Sequence, residues 1–68
     1  MDQDTQARLM FLAPVLQHPR ALRGPELQEV YDVFNLITGE NRRPNGCSAC
    51  LQAVVTRLKK ELRQLGYV

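Results

Sequence analysis

Leu51, Val54, Val55, Leu58, Leu62 and Leu65 recur at the spacing of a single helix face. At the ideal rotation per residue they fall within about 100° of arc, one apolar stripe with Gln52, Lys59, Lys60 and Arg63 pointing away. The pattern predicts a helix that opens near Ser48, runs to about Leu65 and stops at Gly66. The chain has only 68 residues. A chain this short buries about 60% of its unfolded surface, so the other apolar stripes must meet this one in a thin core.

Two further helical segments are expected. Gly24 followed by Pro25 matches N-cap and first helical position, with Glu26 at the positive end of the dipole. Leu27, Val30, Tyr31, Phe34 and Ile37 then share a face, leaving Gln28, Glu29, Asp32 and Asn35 outward, and Gly39 sits where a C-terminal glycine belongs. The first segment runs from Thr5 to Leu12 or Leu16, with Asp4 or Thr5 as its N-cap. Leu9, Leu12, Ala13 and Leu16 form its stripe, which Met10 and Phe11 widen. Pro14 ends or kinks this helix, since proline lacks an N–H and crowds the preceding turn. Gln17-His18-Pro19 reads as a connector. The expected fold is all-α: a compact three-helix arrangement with a kinked or broken first helix, residues 1–68 forming a single small helical domain.

Composition narrows the function classes. So short a chain leaves little room for a deep catalytic pocket, which usually encloses several hundred Å³. Residues 1–34 carry five acids against three bases, and residues 35–68 carry six bases against two acids. That asymmetry suits nucleic acid or an acidic partner. There is no transmembrane-length apolar run and no secretory leader; Leu9 to Leu16 is too short and contains Pro14. Two cysteines three apart cannot staple distant segments, so a cytoplasmic protein with reduced thiols is the default expectation.

The segment Arg42-Arg43-Pro44-Asn45-Gly46-Cys47-Ser48-Ala49-Cys50 concentrates the chemistry. It places two arginines, a turn and a Cys-x-x-Cys ahead of the last helix, whose N-terminus offers free N–H groups and partial positive charge. Arg42, Arg43, Asn45, Gly46 and Ser48 are the candidate site for an anion or a partner carboxylate; the alternative is a solvated loop. A zinc site would draw on Cys47, Cys50 and His18, which falls short of the four ligands of a closed site. Thiol–disulfide exchange has the right local charge but no preceding strand. A third reading is packing, with Cys47 on the apolar stripe as a small buried hydrophobe and Cys50 at its edge, bordering the surface.

Gln52, Thr56, Lys59, Lys60 and Arg63 are candidate nucleic-acid contacts on the outward face of the last helix. The connector from Gly39 to Cys47 is about twice the three or four residues of a helix-turn-helix turn. No Ser/His/acid grouping or Gly-rich phosphate loop is present, and no cofactor or small-molecule substrate is expected.

Ile37-Thr38-Gly39, Asn41-Arg42-Arg43 and Asn45-Gly46-Cys47-Ser48-Ala49-Cys50-Leu51 together resemble small helical proteins encoded by phages and prophages. In those, a threonine-glycine, a basic pair and a Cys-x-x-Cys open a basic C-terminal helix. The resemblance covers residues 37–63 and carries no activity with it. It implies a phage accessory or virion-associated protein, in the host cytoplasm or the virion. The expectation is a non-enzymatic interaction module that binds a protein partner or itself through the Arg42–Cys50 loop and the last helix. The alternatives are nucleic-acid binding, and a zinc-binding or redox-sensitive Cys-x-x-Cys protein.

Overall fold

The computed structural model describes residues 2–17, 24–44 and 47–66. They form four helices: α1 (Gln3–Phe11), α2 (Ala13–Gln17), α3 (Pro25–Thr38) and α4 (Ser48–Gln64). No strand occurs among the described residues. The radius of gyration is 10.9 Å, which matches the roughly 11 Å of a compact chain of this length.

The expected first helix is divided in two at Leu12. Pro14 cannot donate to the Met10 carbonyl, and its ring crowds that turn, so α1 closes one residue after Phe11 and α2 starts at Ala13. The Leu12 N–H still reaches Arg8 and Leu9, and the Leu16 N–H reaches the Leu12 carbonyl at 2.9 Å, so the break is a bend rather than a gap. The beginning of α1 differs from expectation too. Asp2 is the N-cap, its carboxylate accepting the Thr5 N–H at 2.7 Å. Hydrogen bonds from Thr5 hold the Asp2 carboxyl below its usual range. Thr5 is buried instead of capping. Gln17, expected in the connector, instead ends α2, and the rest of that connector, His18 and Pro19, lies outside the described residues.

Both ends of α3 follow the expected signals. Gly24 and Pro25 open it, and Gly39 closes it in the left-handed region at φ 75°, its N–H bonded to the Asn35 carbonyl. The close of α4 matches as well, with Gly66 at φ 84°. A residue with a Cβ is strained at these angles, so glycine ends each helix without strain.

The core joins Leu9, Leu12 and Leu16 to Val30, Tyr31, Val33 and Phe34, and to Val54, Val55, Leu58 and Leu62. α3 packs on α4, α1 on α3, and α2 on α4. Thus the bend at Leu12 lets one short stretch of chain cover two neighbours. Leu27, Ile37, Leu51 and Leu65 flank the core half-buried. Two expectations fail on rotation. Phe11, expected to widen the first stripe, is 87% exposed; it lies about 200° around the helix from Leu9. Val33, left out of the α3 stripe, is fully buried.

α1 and α3 are joined by a forked ion pair. Arg8 donates through Nε to Glu29 Oε2 at 2.8 Å and through Nη2 to Oε1 at 2.7 Å. The bond from Arg8 holds the Glu29 carboxyl below its usual range, against a smaller opposing effect of burial. Both side chains are 35% exposed, so the pair is worth at most about 1 kcal/mol.

Leu58→Ala removes a fully buried side chain and is expected to cost about 2–5 kcal/mol, a large part of a small domain's stability. A melting temperature within a few degrees of wild type would contradict this packing. The ion pair has its own signature. Because folding lowers the Glu29 pKa, its contribution is complete above the ordinary glutamate range and is lost as pH falls through the lowered value. Glu29→Gln should therefore flatten part of the decline in stability on acidification. An acid-unfolding curve parallel to wild type would show that the pair contributes nothing.

Candidate functional site

The loop after α3 is fastened to α3 itself. Asn35 faces outward on the third turn, as its position in the α3 pattern requires. Its Nδ2 donates to the Arg42 carbonyl at 2.9 Å, and its Oδ1 accepts the Arg42 N–H at 3.0 Å. One side-chain amide thus satisfies both backbone groups of a loop residue. The Thr38 hydroxyl donates to the Phe34 carbonyl at 2.8 Å and accepts the Glu40 N–H at 3.3 Å, which directs the chain out of the glycine turn.

These fastenings separate the two arginines. Arg42 Nε donates to Glu40 Oε1 at 2.9 Å, and its guanidinium carbon lies 5.3 Å from the centroid of the Phe34 ring. Phe34 is itself buried, so Arg42 lies over the edge of the core, held by stacking and by a neutralising carboxylate. Arg43 is exposed, followed by half-buried Pro44. The expected equal pair is therefore one positioned arginine and one displayed arginine. Asn45 and Gly46, expected to complete the anion site, lie outside the described residues. Ser48 is exposed on the first turn of α4.

The cysteines are joined. Cys47 and Cys50 form a disulfide with their Cα atoms 5.2 Å apart, inside the range such bonds require. This replaces the expectation of reduced thiols. The helical projection had separated the pair, with Cys47 inward and Cys50 at the edge, but both are half-buried. Cys47 is the N-cap of α4, with an extended backbone at φ −78° and ψ 110°. It lies off the helical spiral on which its inward position was projected. Its Sγ accepts the Cys50 N–H at 3.2 Å, satisfying one of the free donors at the helix start.

Bonded sulfurs offer no thiolate to a metal, so zinc ligation through this pair requires reduction first. Among the described residues no three or more His, Cys, Asp or Glu side chains form a group that could hold a metal ion, and His18 lies outside them. None of the described helices is long and apolar enough to cross a membrane.

The outward face of α4 is formed as expected in part. Gln52, Thr56, Lys60 and Arg63 are exposed, while Lys59 is half-buried. All five project within about 100° of arc. Arg57 is turned aside toward Glu61, 3.8 Å away. Sequence reasoning passed over Asn35 and Glu40, because nothing local marks an amide that binds backbone seven residues later. It also passed over a groove of about 240 Å³ beside α1, lined by Asp4, Ala7, Arg8, Phe11, Leu12 and Glu29. The rotation of Phe11 away from Leu9 was the signal for that groove.

No protein family, curated protein or solved structure matches the chain significantly.

Asn35→Ala should release the loop while leaving the core in place. The expected loss of stability is no more than about 1 kcal/mol, because these hydrogen bonds are exposed. Hydrogen exchange at the Arg42 amide should accelerate markedly, with α3 protection unchanged. An Arg42 amide that remains as protected as in wild type would show that the clamp does not hold the loop.

Proposed function

We propose that this protein is a non-enzymatic interaction module that binds a protein partner, or a copy of itself, through the Arg42–Cys50 loop and the start of α4. The scaffold for this reading is a three-armed one, with α1 and α2 acting as a single bent arm. A phage-type accessory or virion-associated role is the setting that the motif resemblance suggests.

The observation that carries the reading is the double hydrogen bond between Asn35 and Arg42. Together with the disulfide at the start of α4, it fastens the display loop on either side. Residues already held in place lose less conformational entropy when a partner arrives, so more of the contact energy appears as affinity. Arg43 and Ser48 project from this frame. Next to them, the N-terminus of α4 favours negative charge. The matching partner surface presents a carboxylate or other anion to Arg43, with contacts along the first turns of α4.

A second reading, nucleic-acid binding, is favoured by the exposure of Gln52, Thr56, Lys60 and Arg63 on one side of α4. These residue types serve phosphates and base edges alike. The two readings differ in salt dependence, since phosphate neutralisation releases counterions and weakens steeply as salt rises. A redox-sensitive role would act through the same disulfide, whose reduction would loosen one side of the loop.

Affinity capture from the native host should recover a partner with the wild-type chain and lose it with the Arg42→Ala/Arg43→Ala double variant. Arg43→Ala alone should account for most of the loss, since Arg42 is occupied by Glu40 and Phe34. The fold should persist in the single variant, because exposed substitutions typically cost under about 0.5 kcal/mol. Capture of the same proteins by wild type and double variant would sink the loop assignment. Tight, salt-sensitive binding to nonspecific duplex DNA would shift the assignment to the α4 face.

A further inference from the structure

Phe11 and Leu36 are the large apolar side chains left in water among the described residues, and Phe11 is the more exposed at 87%. Phe11 forms one wall of the α1 groove, with Ala7 and Leu12 as its apolar floor. The polar rim is acidic. Asp4 and Glu29 line it beside Arg8, and Glu29 is forked onto Arg8. Two carboxylates thus share the groove with one guanidinium, and the Glu29–Arg8 pair leaves the charge of Asp4 near an exposed aromatic ring. An aromatic face rimmed by carboxylates suits a cationic side chain with a long aliphatic stem.

The same chain carries the complement. On the outward arc of α4, Lys59, Lys60 and Arg63 fall together without an acid among them. The α4 carboxylate, Glu61, projects outside this arc and faces Arg57. Among the described residues, no ion pair joins Lys59, Lys60 or Arg63 to any acid. Both faces belong to the same folded unit, but they point outward from different helices, so one molecule cannot bring them together.

We propose that the α1 groove at Phe11 is the docking site for the outward face of α4 from a second copy of this chain. Arg63 or Lys60 of the incoming helix lies over the Phe11 ring with its charge toward Asp4. The contact is head-to-tail, since groove and helix are different patches. Each added copy leaves one groove and one α4 face unused, so the assembly either closes into a ring or extends. This inference is independent of the loop assignment: it uses neither Arg43 nor the disulfide.

Sedimentation of the purified full chain from micromolar to millimolar concentration tests it, in low salt and again in high salt. Wild type should grow in mean mass with concentration in low salt, and much less in high salt. Phe11→Ser and Asp4→Lys disable the groove; Lys60→Glu with Arg63→Glu disables the helix face. Each of these variants alone should self-associate at least about tenfold more weakly. Circular dichroism confirms that they remain folded, and having two groove variants keeps the test valid if one does not. The decisive sample mixes a groove variant with the α4 variant. One intact groove then meets one intact helix, so the mixture should form a one-to-one dimer and stop there. Arg43→Ala should associate like wild type. A wild-type chain that stays monomeric at millimolar concentration in low salt overturns the proposal. So does a mixture that forms no dimer, including the case in which only a foreign basic protein covers Phe11.

Discussion

Burial of the α4 stripe is the constraint on which the other elements depend. Val54, Val55, Leu58 and Leu62 need apolar cover along several turns. Cover comes chiefly from α2 and α3, with α1 packing on α3 and, to a lesser extent, on α4. The bend at Leu12 makes this division feasible. A straight first helix would carry Leu16 along the same line as Leu9; the bend turns α2 onto α4 while α1 stays on α3. Pro14 therefore shapes the core although its own side chain is exposed.

A core this thin leaves its edges to polar devices. Arg42 covers part of the Phe34 ring with a guanidinium, Arg8 and Glu29 bind α1 to α3, and Asp2 finishes the start of α1. Each is individually weak at the surface. What they contribute is geometry: they fix where α1 begins, how α1 lies on α3, and where the loop leaves α3. The Asn35 clamp differs in kind, since it fixes backbone rather than side chain, and the position of Arg43 follows from it.

Helical periodicity and end signals made most of the architecture legible in advance. The α4 stripe, the Gly24-Pro25 start and the Gly39 and Gly66 stops rest on local rules that tertiary packing did not overrule. Where expectation failed, the deciding interaction was non-local or off the helical spiral. Asp4 or Thr5 was expected as the cap, but Asp2 accepts the Thr5 N–H and Thr5 is buried. Cys47 was projected as a helical residue, whereas it is the cap before the helix, and from there its sulfur meets Cys50. The Asn35–Arg42 clamp has no sequence signature at all. Its partners meet because the glycine turn folds the chain back over α3. Within the candidate site, the residue types were therefore legible and their division of labour was not.

Charge is segregated along the sequence, and folding preserves the segregation in space. Asp4, Glu29 and Asp32 act on Arg8 on the α1–α3 side, while Lys59, Lys60 and Arg63 lie on the outward arc of α4. A solvated surface gains nothing from such sorting, and mixed signs protect a small protein from adhering to its own copies. Here the acidic side also carries the exposed Phe11, so charge and apolar surface coincide on one patch. Separate surfaces then follow from one fold: a fastened loop presenting Arg43, and a complementary pair formed by the groove and the outer face of α4. The loop depends on Asn35 and the disulfide, whereas the pair depends on the rotation of α1 and α4 about their axes. Their physical origins are distinct, and binding at one need not disturb the other.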